Sequence, residues 1–187
     1  MARFVVSVAH KGDSDLLSNL PDIALVGPSN AGKSSLINAL AKSRIALISN
    51  KPGKTRTLNF YDFNTHYVVD TPGYGYSHAS KTDKSSLMKI LDNYFLGPRS
   101  IVGVFQVVSS HGLSANDLEV SEYLSGHFHN YMLIVNKIDK ISKNQLKKLL
   151  GSISASTGIG SDSIIPISAK MGLNLSLLNL KIREFLK

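Results

Sequence analysis

The chain has 187 residues, 43% of them hydrophobic and none cysteine. That content can bury a sizeable core, which argues against global disorder, and it excludes disulfides, thiolate metal sites and cysteine nucleophiles. Lysine and arginine total 21 against 13 acidic residues, a formal charge of +8, which suits a polyanionic partner or, equally, a solvated basic surface.

Phe4 to Val8 is β-branched and reads as a strand, and Lys11 to Asp22, punctuated by Gly12 and Pro21, as a loop. Ile23 to Val26 is an apolar run too short for a helix and right for a buried strand. It leads into Gly27-Pro28-Ser29-Asn30-Ala31-Gly32-Lys33-Ser34, which fits the phosphate-loop pattern G-x-x-x-x-G-K-[ST]. Two glycines let the backbone curl so that successive N–H groups face phosphate oxygens. Lys33 supplies a point charge for the outer phosphates and Ser34 a hydroxyl for Mg²⁺. Ser34 to Leu40 continues as a helix with Leu36, Ile37 and Leu40 on one face, its positive end aimed at the same phosphates.

Lys42 to Arg56 is mixed and basic and reads as a mobile loop. Thr57 to Phe63 alternates, Asn64-Thr65 suits a tight turn, and Tyr67 to Val69 completes a hairpin that ends at Asp70-Thr71-Pro72-Gly73. A glycine- and tyrosine-rich loop follows from Tyr74 to Ser80. Leu87, Ile90, Leu91, Tyr94 and Phe95 then fall at helical spacing before Gly97-Pro98. Ile101 to Val108 reads as a strand. Ser114 to Asp117 is a capping box that opens a helix through Leu124, ending at Gly126. Tyr131 to Val135 is a strand running into Asn136-Lys137-Ile138-Asp139. Ser142 to Gln145 is a second capping box, followed by Leu146, Leu149, Leu150 and Ile153 on one face. Ser154 to Ser163 reads as a loop, Ile164 to Ile167 as a strand leading to Ser168-Ala169-Lys170, and Leu175, Leu178, Ile182 and Phe185 as a last amphipathic helix. This alternation predicts an α/β fold, a mainly parallel sheet with helices on both faces. No linker divides it, so one domain is expected over 1–187: an amino-terminal strand and loop (1–22) and a nucleotide-binding core (23–187). No apolar run approaches a membrane span and the amino terminus has no signal-peptide pattern.

Five short motifs stand in the order that a guanine-nucleotide switch requires. With Pro52-Gly53-Lys54-Thr55, Leu58-Asn59-Phe60 and Asp70-x-Pro72-Gly73-Tyr74-Gly75-Tyr76, the chain resembles the translation-factor-like P-loop GTPases. It is most similar to the EngB (YsxC/YihA) family of bacterial ribosome-assembly GTPases over nearly its whole length. The resemblance implies a three-layer P-loop GTPase fold and slow hydrolysis of GTP to GDP with Mg²⁺. It further implies a cytoplasmic monomer acting in large-subunit assembly on rRNA and ribosomal proteins, with a link to cell division and septum formation.

The motifs also have physical readings. Asp70, at a strand's carboxyl end, can hold Mg²⁺ through water, and Gly73 can offer its N–H to the terminal phosphate. In related GTPases a threonine of the mobile loop closes onto Mg²⁺; the family match picks Thr55, with Thr57 a rival. Asp139 can accept from the guanine N1–H and exocyclic amine, which adenine does not present, the Lys137 stem can pack on the base, and Asn136 can tie this loop to the phosphate loop. Ser168-Ala169-Lys170 would add a backbone N–H for the guanine oxygen. The implied nucleotide contacts also take in Gly53, Lys54, Arg56, Thr57, Thr71, Pro72, Ile138 and Ile167.

Catalysis is placed on Lys33, Asn30, Thr55 and Gly73. Tyr74 stands where Ras-like proteins carry a water-orienting glutamine. Asn30 resembles the asparagine of potassium-activated GTPases, where K⁺ does an arginine's electrostatic work; it also suits a plain turn. The chain departs from the family at Pro28, at Asn136, and at Val108-Ser109-Ser110-His111, where an Asp-x-Arg-His segment is usual. Lys42, Arg44, Lys51, Lys54 and Arg56 form a candidate RNA surface. The region of Lys143, Lys147 and Lys148 is a second, read more readily as a solvated helix face. A GTP-gated scaffold with incidental hydrolysis is a competing reading. An ATP-using phosphotransferase is another, against which Asn136-Lys137-x-Asp139 argues.

Overall fold

The computed structural model describes residues 1–8, 17–48, 57–74 and 90–187. Its elements run β1 (Arg3–Val8), β2 (Asp22–Val26), α1 (Lys33–Ala41), β3 (Leu58–Asp62), β4 (Tyr67–Asp70), β5 (Ile101–Ser109), α2 (Ala115–His127), β6 (Tyr131–Asn136), α3 (Lys143–Thr157), β7 (Ile164–Pro166) and α4 (Leu175–Phe185). Residues 90–95 add a helical segment before β5. The strands make one seven-stranded sheet in the order β1-β3-β4-β2-β5-β6-β7. β4, β2, β5, β6 and β7 are parallel, and β1 and β3 add antiparallel pairs at one edge. The mainly parallel α/β sheet expected from the alternation is what forms.

Strand periodicity divides the core between two faces. Ile23 and Leu25 of β2, Phe105 and Val107 of β5 and Ile134 of β6 point to the face covered by α1 and α4, where Leu36, Ile37, Leu178 and Ile182 are buried. Their neighbours Ala24, Val26 and Val104 face the other way, with Tyr94 of the 90–95 segment and Leu124 of α2. Leu133, Val135 and Ile153 continue that second face under α3. Burying a side chain such as Leu36 contributes roughly 1.5–3 kcal/mol, so this two-sided apolar pattern holds the helices on the sheet. The predicted hairpin closes through Phe63 N–H to the His66 carbonyl at 2.9 Å, with Asn64 at φ 71°.

Both capping boxes form, at Ser114/Asp117 and Ser142/Gln145. Several boundaries differ from the sequence reading by a residue or more, and three of them have a clear physical cause. α2 runs past Gly126 to His127 and stops where Phe128 turns extended. Its last N–H bond, Phe128 to the Leu124 carbonyl at 2.9 Å, and the packing of Phe128 on Phe95 set that end. α3 runs through the expected loop to Thr157, because Ser156 and Thr157 turn their hydroxyls back onto the Ile153 carbonyl, at 3.1 and 2.8 Å. Gly158, at φ 71°, then ends it. Asp22, expected at the end of a loop, opens β2. It is fully buried and held by Arg99 through two 2.6 Å bonds, Nε to Oδ2 and Nη2 to Oδ1. Among the described residues no helix is long and apolar enough to cross a membrane.

Candidate functional site

The phosphate loop leaves the carboxyl end of β2, where ligands bind in open parallel sheets. Its first glycine is there for space. A Cβ on Gly27 would lie 2.2 Å from the Val107 carbonyl oxygen of β5, so any side chain would push the loop off the sheet. Gly32 sits at φ 99°, a left-handed conformation that glycine tolerates, and it serves as the N-cap of α1. Asn30 is also left-handed, at φ 69°. Lys33 is buried, and its Nζ donates to the carbonyls of Gly27 at 2.9 Å and Pro28 at 3.3 Å. The lysine is thereby folded back over the loop.

Asp70 ends β4 beside the loop. Its Oδ2 accepts the Ser34 hydroxyl at 2.8 Å, while its buried Oδ1 has no partner. Burial raises the Asp70 pKa, against the opposing pull of Lys33 and Ser34, and burial lowers that of Lys33, against Asp70. A hydroxyl and an orphaned carboxylate oxygen in a dry recess are hard donors suited to a hydrated divalent cation. The residues present therefore fit a hydrated Mg²⁺, which Ser34 and Asp70 would hold.

After Asp70 the chain lies against the phosphate loop. Thr71 is fully buried and turns its hydroxyl into the sheet, onto the Leu25 carbonyl at 2.9 Å, which makes it a support of the loop. Pro72 is buried. Gly73 packs so closely that a Cβ would approach Ser29 Oγ to 2.7 Å and Ser29 N to 2.8 Å. Ser29 N–H donates to the Tyr74 carbonyl at 3.3 Å, and Pro28 and Tyr74 pair as an isolated parallel bridge. Thr57 bonds Asn59 Oδ1 at 3.2 Å. Gly53, Lys54, Thr55 and Arg56 lie outside the described residues.

The third wall comes from the ends of β6 and β7. Asn136, buried, donates to the Ala31 carbonyl at 3.0 Å and accepts from the N–H groups of Lys137 at 2.8 Å and Ala169 at 3.1 Å. One amide thus ties three loops together. The Ala169 N–H, one of those in the Ser168-Ala169-Lys170 segment, is engaged by that amide. Lys137 reaches across to the Asn30 carbonyl. Ile138 N–H donates to the Ile167 carbonyl at 3.2 Å, so these two residues act through the backbone. Asp139 is exposed, and the Ser168 hydroxyl bonds its Oδ1. That bond is the main cause holding the Asp139 carboxyl below its usual range.

Between Gly32, the far end of α1 and the loops after β6 and β7 lies an open cavity of about 660 Å³, lined by Gly32, Asn136, Lys137, Asp139 and Ala169 and by residues of α1. Lys42 and Arg44, read from sequence as an RNA surface, are part of its rim, as are Lys140 and Lys170. The volume and the few convergent polar groups suit a small ligand with an anionic end.

The sequence reading missed the anchoring of Tyr74. Its phenol is buried and donates to Asp117 Oδ1 at 2.7 Å, and Gln106 Nε2 donates to the phenol oxygen at 2.8 Å. The signal available was Gln106 itself, a polar residue in the middle of the apolar run of β5.

Comparison with known proteins points the same way. Residues 22–137 match the family model described as a 50S ribosome-binding GTPase. The chain is 40% identical to the probable GTP-binding protein EngB of Malacoplasma penetrans over 175 residues, 94% of each chain. Among solved structures it is similar to a probable GTP-binding protein engB, with a TM-score of 0.72 and 26% identity over 88% of this chain and 98% of that one. It is also similar to Era in complex with MgGDPNP and nucleotides 1506–1542 of 16S ribosomal RNA, with a TM-score of 0.70 and 25% identity over 90% of this chain and 57% of that one.

Proposed function

The chain belongs to the EngB family of GTP-binding proteins and is a GTPase, and from that premise we propose that it is a Mg²⁺-dependent switch in assembly of the large ribosomal subunit. The observation that carries the site is the 3.0 Å bond from Asn136 to the Ala31 carbonyl, which joins the loop of Lys33 and the Ser34–Asp70 pair to the loop of Asp139. In this reading Asp139, aimed by Ser168, takes the guanine N1–H and amine. Asn136 fixes the base-reading loop to the phosphate loop, and the Lys137 stem flanks the base. Ser34, Asp70 and Thr55 hold Mg²⁺, which when bound neutralises charge on the outer phosphates. Lys33 leaves the Gly27 and Pro28 carbonyls for phosphate oxygens. The Gly73 N–H meets the terminal phosphate, so the loop senses whether that phosphate is present.

Lys33 would stabilise the charge that develops at the phosphates, and Asn30 would help hold a K⁺ that supplies further positive charge there when bound, a stimulation that a ribosomal partner would otherwise provide; this uses electrostatics in place of a water-orienting side chain. Tyr74 is turned into the core and does not orient water. That same observation favours a second reading, a GTP-gated scaffold whose hydrolysis is incidental. An Asp70 variant that binds GTP without cycling separates the two, because a scaffold would still support subunit assembly.

The partner reading rests on the +8 charge, on the family model's description as ribosome-binding, and on the rRNA bound to the related Era. The protein acts as a cytoplasmic monomer on rRNA and proteins of the large subunit, and its link to cell division and septation runs through ribosome supply. Pull-down of the GTP-locked protein with identification of bound RNA tests this. Enrichment of large-subunit rRNA is expected, with an affinity that falls as salt rises. Small-subunit RNA alone, or salt-independent binding, overturns it.

A further inference from the structure

The residue after the phosphate sensor is fixed more firmly than packing alone requires. Tyr74 O is bonded by Ser29 N–H, and Gly73 lies flat on the phosphate loop with no room for a Cβ. The Tyr74 side chain leaves in the other direction, between β5 and α2. There its hydroxyl meets Asp117 Oδ1 and Gln106 Nε2. Neither partner is free to follow it. Asp117 Oδ2 accepts Ser114 N–H at 2.8 Å and the Ser114 hydroxyl at 2.6 Å, as part of the capping box of α2. Gln106 Nε2 also donates to the Asp117 carbonyl at 2.9 Å, and its Oε1 accepts the Tyr131 hydroxyl. Tyr131 in turn meets Ser121 Oγ of α2 at 2.9 Å. All of these side chains except Ser114 are buried. A buried network with every member bonded has one arrangement, and leaving one member unpaired is costly.

We propose that Tyr74 is a positioning residue: its phenol, anchored on Asp117 and Gln106, holds Gly73 in place against the phosphate loop and so sets the preference for guanosine triphosphate over diphosphate. The proposal rests on the reading of Gly73 as the group that meets the terminal phosphate. A phenylalanine would fill the same apolar space, so the hydroxyl is what adds the anchor. Burial, with the Asp117 carboxylate next in effect, keeps the phenol protonated and able to donate. Gly73 is then fixed on two sides, by Ser29 through the main chain and by α2 through Tyr74. Loosening the second side spreads Gly73 over more conformations. That weakens the contact only the third phosphate makes and leaves the diphosphate contacts intact.

The test compares Tyr74→Phe with Tyr131→Phe. Each removes one hydroxyl from the same network, but only the first touches the Gly73 segment. Dissociation constants are measured for GDP and for a non-hydrolysable GTP analogue, with thermal unfolding as the fold control. Tyr74→Phe is expected to weaken the analogue about tenfold while GDP stays within about twofold, the loss of one charge-assisted bond. Tyr131→Phe is expected to leave the ratio unchanged. Asp117→Asn, which keeps the shape and weakens the acceptor, should move the ratio in the same direction by less. An unchanged ratio in Tyr74→Phe, or equal effects of the two phenylalanine variants, overturns the anchor. Gly73→Ala separates that failure from failure of the underlying reading: if it does not alter the triphosphate preference, Gly73 is not the sensor.

Discussion

Replacing Asp139 by asparagine changes one charged acceptor into a neutral amide of the same shape. Asp139 is exposed at the cavity edge, and its carboxylate is aimed by the Ser168 hydroxyl. Because it is not part of the core, the substitution should alter stability by no more than about 0.5 kcal/mol. Binding is another matter. Guanine presents two donors, N1–H and the exocyclic amine, and each bond to a carboxylate is worth about 1.5–3 kcal/mol. Losing one bond and weakening the other costs about 3–4 kcal/mol, a fall in GTP affinity of roughly 10²–10³-fold. Xanthosine carries a carbonyl where guanosine carries the amine, so the asparagine amide can donate to it. The variant should therefore regain affinity for xanthosine triphosphate. Fluorescence titration of the variant with both nucleotides, with thermal unfolding alongside, reads all three quantities. A GTP loss below about fivefold, or a melting shift large enough to explain the loss by unfolding, refutes Asp139 as the base reader.

Three further outcomes are expected. Arg99→Ala leaves Asp22 buried without its partner and should destabilise the fold by about 3–5 kcal/mol, read by urea denaturation, with little effect on nucleotide affinity in the folded fraction. Burial, against the pull of Asp62, lowers the His66 pKa from 6.5 to about 4. The fold therefore holds the neutral ring, and the unfolded chain takes up a proton first. The resulting stability is present above pH 6.5 and is lost as pH falls towards 4. The gap corresponds to roughly 3 kcal/mol, and His66→Gln should flatten this part of the stability–pH curve. GTP turnover should be severalfold faster in potassium than in sodium; equal rates would leave Asn30 as the turn residue that its φ of 69° suits.

Much of the architecture is legible in local pattern. Ile23 to Val26 and Tyr131 to Val135 read as buried strands because both sheet faces are covered, and the serine of each capping box stands immediately before its helix. The phosphate loop, Asp70 and Asn136-Lys137-x-Asp139 are legible because each chemistry needs fixed residue types at fixed spacing. What escapes is long-range pairing. Asp22 and Arg99 are far apart in the chain, and no local signal joins them. Helix α3 outruns its expected end because serine and threonine satisfy themselves on the preceding turn, a choice composition does not reveal. Tyr74 looks like a catalytic substitution in the sequence. Only the fold brings Asp117 and Gln106 to its hydroxyl, which turns the question from chemistry to positioning.

The proposed switch makes engagement of the large ribosomal subunit depend on the bound nucleotide. Co-sedimentation of the protein with purified large subunits, in a non-hydrolysable GTP analogue and in GDP at matched salt, tests it most directly. Binding in the triphosphate state at least about tenfold tighter than in the diphosphate state, and lost in Asp139→Asn until xanthosine nucleotide replaces guanosine, is the result expected. Equal binding in both states overturns the switch.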